Sequence, residues 1–155
     1  MIGKVEYYWG IDPGLQDTGL VELTIPHDTA EPITSKDFVV KGINVQEIAQ
    51  RVGAWDAFVE DYRVRSGFST NSAMMKGIGE LKQVLPRLTI VPNQDSKFVV
   101  SNEMLKLLGL YNSPVKSNHQ DIRAAKRIAL FGLIRENSEM NTLIARHILA
   151  RLKER

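Results

Sequence analysis

The chain has 155 residues, with 20 Lys and Arg against 18 Asp and Glu, and it contains no cysteine. This length predicts a single domain, residues 1–155, whose core needs neither disulfides nor a structural metal. The lack of cysteine excludes a thiol nucleophile and thiolate-held metal centres. No segment has the unbroken apolar length of a membrane span and no signal peptide is recognisable at the N-terminus, so we expect a soluble, cytoplasmic protein without a membrane partner.

An acid stands where the first predicted strand ends. The run Val5–Ile11 is rich in β-branched and aromatic residues, Pro13-Gly14 turns the chain, and Gly19–Ile25 returns as a second strand. Asp12 is therefore fixed at a strand end beside exposed backbone. An Asp before Pro-Gly is also common in ordinary turns, where its carboxylate accepts backbone N–H bonds, and this alternative stays open.

The next elements predict a parallel crossover. A third strand covers Lys36–Lys41, Asn44 caps a helix that runs to about Gly53, and Ala57–Tyr62 is a short apolar strand that contains two acids. A helix between two strands is what a parallel crossover requires, so we expect this strand to lie beside the first.

Further elements alternate between helix and strand and then become helical. Their order, β-β-β-α-β-α-β-α-α before the last helix, predicts an α/β fold with a five-stranded mixed sheet and helices on both faces. The predicted elements are a helix capped by Ser69 or Thr70 that runs through about Leu85, a strand Leu88–Val91, a helix from about Asn102 to Leu108 that Gly109 stops, a helix from Asn118 or Ser117 to about Arg135, and a basic last helix over about 138–154.

Basic residues concentrate towards the C-terminus. From Lys116 onwards, nine Lys or Arg face four acids. Such an excess favours phosphate binding, although a solvated helix face explains charge runs more often.

Three acids from distant positions can converge on one edge of this sheet. Asp12 and Glu60 end strands that we expect to be neighbours, and Asp121 lies in the first turn of a helix. Metal-dependent cleavage of phosphodiesters needs such carboxylates around two divalent cations. Asp61 points to the opposite strand face and is the rival of Glu60. Asp121 has an equally good reading as a cap of its own helix.

The segments "GIDPG" with the following "TG", and "FVEDYRVRSGFSTNSAMMKGIGEL", resemble the RuvC family of Holliday-junction resolvases, which have a ribonuclease H-like fold. The resemblance extends from Val5 to about Arg135. It implies Asp12 and Glu60 as catalytic ligands of Mg²⁺, with Mn²⁺ as a substitute, and it leaves Asp61 in a supporting role.

The resemblance is weaker in "SNHQDIRAAKRIAL", where the family has an acid or histidine three residues before an aspartate. One register makes Asp121 the second position and puts Asn118 in the first. The other makes Asp121 the first position and puts Ala124 in the second. Either register keeps Asp121 as a ligand and loses one carboxylate, and His119 is a nearby candidate for metal binding or proton donation.

The same resemblance suggests where DNA binds. Arg63, Arg65 and Phe68 follow Glu60, where the family has an aromatic that enters the junction; Phe68 packing on the core is the alternative. Lys76 and Lys97 are further candidates for phosphate contacts, although lysines are usually just solvated.

Symmetric cutting of a junction implies a homodimer. Its candidate contact is the helix face with Ala73, Gly77 and Ile78, or the neighbouring Met74 and Met75, while core packing is the commoner use of such a stripe.

The sequence thus predicts a metal-dependent endonuclease that nicks four-way or other branched DNA. The short chain and the divergent C-terminal motif suit a bacteriophage version. The alternative is a ribonuclease H-like module that binds DNA junctions or partner proteins without cutting, which the loss of one acid favours. A nuclease that acts on RNA or flaps is a third hypothesis.

Overall fold

The computed structural model describes residues 3–61, 72–92, 95–115 and 117–155. Within these ranges it contains five strands and six helices. Their bounds are β1 Val5–Asp12, β2 Asp17–Pro26, β3 Thr34–Lys41, α1 Val45–Val52, β4 Ala57–Asp61, α2 Ser72–Val84, β5 Leu88–Pro92, α3 Ser96–Val99, α4 Asn102–Leu107, α5 His119–Glu136 and α6 Ser138–Lys153.

The five strands form one mixed sheet in the order β3-β2-β1-β4-β5. β1, β2 and β3 are antiparallel, whereas β4 and β5 run parallel to β1. The α1 crossover does place β4 beside β1, with Ile11 opposite Val59. Asp12 lies opposite Gly19 of β2, so the first hairpin and the crossover meet at one end of the sheet.

Helices cover both faces of the sheet, which confirms the predicted α/β fold. One core lies under α4, α5 and α6 and takes in Tyr8 of β1 and Phe58 of β4. The other lies under α1 and α2 and takes in Ile11 and Val59. Because successive strand residues point to opposite faces, this division also fixes the face on which each strand-end acid lies.

The predicted helix ends agree closely with the structure. The Asn44 side chain accepts the Glu47 N–H at 3.1 Å, and Gly109 ends α4 with a φ of 75°. Two details differ. The four-residue helix α3 was not predicted, and Asn118 precedes α5 in a left-handed conformation without a capping bond from its side chain. The expected caps Ser69 and Thr70 lie outside the described residues.

The glycine face of α2 serves the core. A Cβ on Gly77 would lie 2.6 Å from Ile43, and Ile78 is buried in the α1–α2 core. The commoner reading of this stripe therefore holds for these two residues, and they are not available to a dimer contact. No helix in the described ranges is long and apolar enough to cross a membrane.

Burial of Tyr8 predicts a pH effect on stability. Desolvation, aided by the charges of Glu6 and Asp56, raises the pKa of its phenol from 10.0 to about 12. Above pH 10 the unfolded chain therefore loses this proton while the folded protein keeps it, so the free energy of unfolding falls as the pH rises towards 12. Tyr8→Phe is expected to remove this part of the fall.

Urea unfolding at pH 9 and pH 11 measures the difference between wild type and Tyr8→Phe. Tyr7→Phe, at a more exposed position of the same strand, is the control. A difference that does not change with pH would show that Tyr8 titrates as an ordinary tyrosine.

Candidate active site

The turn after Asp12 is held by the threonine of the "TG" pair. Thr18 is buried, and its hydroxyl donates to the Gly42 carbonyl at 2.6 Å and accepts the Gly14 N–H at 3.2 Å. These bonds tie the β1–β2 turn to the end of β3. The backbone is therefore fixed where β1 ends, and Asp12 lies half-buried at that end.

Two glycines allow α5 to lie directly on this part of the sheet. A Cβ on Gly10 would collide with the carbonyl oxygen of Ala125, and a Cβ on Gly19 would collide with that of Asp121. Gly10 of "GIDPG" and Gly19 of "TG" thus have a packing reason, since no larger residue would let the helix backbone come so close. This close approach brings the first turn of α5 to the end of β1.

Asp12 and Asp121 meet at this point. Both side chains line one cleft, close enough for a hydrogen bond between the two carboxyl groups. Burial and the charge of Asp17 raise the pKa of Asp121, and the bond to Asp12 opposes that rise. Two carboxylates in contact repel when both are ionised, so such a pair holds either a shared proton or a cation.

Glu60 lies on the same sheet face as this pair. It follows Val59, the partner of Ile11, so it lies level with Asp12 on the neighbouring strand, one residue before β4 ends. Phe58 lies in the α5-side core, and Glu60, two residues on, faces the same way. Glu60 is buried. Burial lowers the pKa of the Arg127 guanidinium in α5, and the negative charge of Glu60 partly opposes this decrease.

Asp61 has the opposite orientation. It lines a groove between α2 and the β5 edge, together with Met75 and Ile78. Glu60, and not Asp61, therefore shares a face with Asp12, as the two-residue period of the strand predicts.

Oxygen ligands of this kind suit Mg²⁺, which binds through few carboxylates and keeps several waters. Asp12 and Asp121 provide two such ligands in contact. Within the described ranges, however, no group of three or more carboxylates or imidazoles is close enough to hold a metal ion. The carboxylate ligands suit Mg²⁺, and Asp12 and Asp121 are the two predicted ligands that the structure brings together.

The pair opens into a cleft of about 500 Å³ between α5 and the α3–α4 segment. One wall is basic and polar, which distinguishes the cleft from a purely acidic metal pocket. Besides Asp12 and Asp121, the lining residues are Lys97, Ser101, Asn102, Glu103, Gln120, Arg123, Ala124 and Arg127.

Arg127 fixes one side of this wall. Its Nε donates to the Val100 carbonyl at 2.8 Å, and its Nη2 donates to the Asn102 side-chain oxygen at 2.6 Å. One turn earlier in α5, Arg123 donates to the Tyr111 hydroxyl at 2.8 Å. Both guanidinium groups thus belong to ordered networks at the cleft, and such planar donors suit phosphate.

The α5 residues in the cleft bear on the two possible registers of the C-terminal motif. Ala124 lines the cleft with Asp121, one turn further along the helix. Asn118 and His119 are not among its lining residues in the described chain; His119 hydrogen-bonds the Val115 carbonyl instead. This placement favours the register in which Asp121 is the first position and Ala124 replaces the second acid.

The predicted DNA-binding residues are divided by the fold. Lys97 lines the cleft, whereas Lys76 is exposed on α2, which covers the other face of the sheet. Arg63, Arg65 and Phe68 lie outside the described residues. The sequence alone does not single out Arg123, Arg127 or Asn102. A signal is present, because two adjacent basic residues, Lys126 and Arg127, interrupt an otherwise apolar stretch of α5.

Two solved structures share this architecture. The structure of Thermus thermophilus RuvC matches with a TM-score of 0.59 and 19% identity, over 90% of this chain and 95% of that one. T. thermophilus RuvC in complex with Holliday junction substrate matches with a TM-score of 0.54 and 18% identity, over the same shares. This chain has the RuvC fold.

The RuvC fold accounts for the mixed sheet, its helices on both faces and the position of α5 across β1 and β2. At this level of identity the likeness concerns the fold. No protein-family model and no curated protein sequence matches the chain.

Proposed function

We propose that this protein is a metal-dependent endonuclease that nicks four-way or other branched DNA. The observation that carries the proposal is that Asp12 and Asp121 lie together in a cleft that Lys97 and Arg123 also line. A carboxylate pair without nearby cationic side chains would suit a metal alone. A pair with Lys97 and Arg123 beside it suits a metal and a phosphate together.

Asp12 and Asp121, which line one cleft, are the residues that would hold Mg²⁺, or Mn²⁺ in its place. Glu60, on the same sheet face, is the third ligand that the family resemblance implies, and it would have to move towards the pair to bind the same ion. Bound there, divalent cations would supply a hydroxide for in-line attack and would stabilise the leaving oxygen. The chain's own part is to fix the carboxylates on strand ends and one helix turn, and to neutralise phosphate charge through Lys97 and Arg123. Val100 and Asn102 hold the guanidinium of Arg127 in place, and its positive charge interacts with the negative charge of Glu60.

Branched DNA is the substrate that we favour, because one of the structures with this fold is bound to a Holliday junction. Two symmetric cuts in such a junction need two sites, so we propose that the protein acts as a homodimer. The dimer contact would have to avoid the buried Gly77 and Ile78.

A gel assay on a labelled four-way junction tests the proposal beside a linear duplex of the same arm sequence. We expect paired nicks in the junction with Mg²⁺ or Mn²⁺, none with chelator, and little cutting of the duplex. A junction that is retarded but uncut with every metal would instead support the binding module.

That second candidate, a junction-binding module without nuclease activity, is favoured by one observation. Ala124 occupies the cleft position where the preferred register expects a carboxylate. A site with one ligand fewer binds divalent cations more weakly, because affinity follows the number of charged ligands.

Restoring that carboxylate is expected to strengthen metal binding. In Ala124→Asp the new side chain would lie one helical turn from Asp121, on the cleft side of α5. We expect the Mg²⁺ dissociation constant to fall roughly tenfold, measured by calorimetry, with half-maximal cleavage at a lower Mg²⁺ concentration.

Ala124→Asn is the control, since it adds the same bulk without the charge. Equal Mg²⁺ affinity in the wild type and Ala124→Asp would show that this helix position does not face the metal, and the other register would then stand.

A further inference from the structure

A large aromatic side chain stands in solvent beside the cleft. Phe98 of α3 is 87% exposed, more than any other large hydrophobic residue in the described chain. An exposed aromatic of this size leaves its whole apolar face in water, and its burial against a partner would be favourable.

The backbone that carries Phe98 is well anchored. Ser96 and Val100 on either side are buried, and Val100 N–H donates to the Ser96 carbonyl at 2.8 Å. The Val100 carbonyl in turn accepts the Nε bond of Arg127, which joins α3 to α5. The ring therefore projects from a support that is fixed relative to Asp121.

Its neighbours in the chain form one rim of the cleft. Lys97 precedes it, and Ser101 and Asn102 follow the next turn; all three line the cleft. Glu103 lines the cleft as well, and Arg123 on the facing helix adds a second cationic side chain to that of Lys97. The partner that suits a fixed aromatic next to cationic side chains is one that has phosphates and flat apolar rings together, which is nucleic acid with unpaired bases.

Building on the proposed function, we propose that Phe98 stacks on an unpaired base of the DNA strand whose phosphate enters the cleft. A base in a closed duplex presents no free face, whereas bases at a branch point do. Phe98 would therefore contribute to the preference for branched over linear DNA. It would act as a binding and positioning residue, since it does not belong to the carboxylate site.

The test compares Phe98→Ala and Phe98→Trp with the wild type, in chelator so that no cutting intervenes. Fluorescence anisotropy measures binding to a labelled four-way junction, a linear duplex and a thymidine oligonucleotide. We expect Phe98→Ala to bind the junction and the single strand roughly tenfold more weakly, with unchanged affinity for the duplex, and Phe98→Trp to bind like the wild type.

Leu149→Ala is the matched control, because Leu149 is also an exposed apolar residue. It lies on α6, which contacts the far end of β2 through the hydrogen bond between His147 and the Pro26 carbonyl. Equal affinity of Phe98→Ala and wild type for junction and single strand would overturn the inference. So would an equal loss on the linear duplex, or a loss traced by ultracentrifugation to a dimer that dissociates, which would assign the ring to a second copy of the chain.

The same titrations separate this inference from the proposed function. If the wild type binds junction and duplex equally, the preference for branched DNA fails. Binding to the single strand still tests whether Phe98 stacks on a base. Weaker binding by Phe98→Ala than by the wild type supports the stacking, and equal binding overturns it.

Discussion

Asp12→Asn is expected to reduce junction cleavage by at least about 10³-fold while junction binding is kept. A divalent cation supplies several kcal/mol of transition-state stabilisation, and each 1.36 kcal/mol is about tenfold in rate. The amide retains the size of the side chain and can still hydrogen-bond Asp121, so the fold does not depend on the lost charge. Single-turnover cleavage and anisotropy on one labelled junction give the two quantities.

Asp28→Asn makes the same chemical change at the other end of β2, where Asp28 accepts the Ala30 N–H. It is expected to cleave at the wild-type rate. Wild-type cleavage by Asp12→Asn would remove Asp12 from the mechanism, and loss of binding together with cleavage would show that the charge serves the structure.

Lys126→Met is expected to lower the free energy of unfolding by about 3–5 kcal/mol. Lys126 and Asp37 form an ion pair at 3.2 Å with side chains 1% and 0% exposed, and the ammonium also donates to the Leu110 and Asn112 carbonyls. Burial lowers the pKa of Lys126, while Asp37 raises it. Removal of the lysine would leave a buried carboxylate without its counter-ion.

Two comparisons make this result specific. Lys41→Met removes a lysine that is 94% exposed and lies 3.6 Å from Asp17, and a surface pair of this kind contributes about 0–1 kcal/mol. The double variant Lys126→Met, Asp37→Leu removes both buried charges and is expected to recover much of the loss. Urea unfolding measures all three, and a loss below about 1 kcal/mol in Lys126→Met would contradict the burial of the pair.

The sequence predicted the architecture because hydrophobic periodicity identifies the strands and helices and their order along the chain restricts how the strands pair. Alternating apolar residues marked the strands, the crossover rule placed β4 beside β1, and the two-residue period put Glu60 and Asp61 on opposite faces. These are local or topological signals, and they do not depend on side-chain packing.

What the sequence could not supply depends on packing. Lys126 and Arg127 belong to the excess of basic residues towards the C-terminus that favours phosphate binding. Both are buried, and they hold α5 to β3 and to the α3–α4 segment. Helix α3 is too short for a periodic pattern, so the exposure of Phe98 had no sequence signal.

The register of the C-terminal motif was open for a similar reason. The two alternatives differ by one helical turn, and both are consistent with the same letters. Only the position of α5 on Gly10 and Gly19 shows which of its residues enter the cleft.

The most direct test of the central claim uses a supercoiled plasmid that extrudes a cruciform, incubated with the purified protein and Mg²⁺. A junction endonuclease with two sites cuts both strands across the cruciform, so we predict linear product. The same plasmid should stay supercoiled with chelator or with Asp12→Asn. A cruciform plasmid that is bound but left uncut with Mg²⁺, or a cruciform-free plasmid that is cut equally well, would contradict the account.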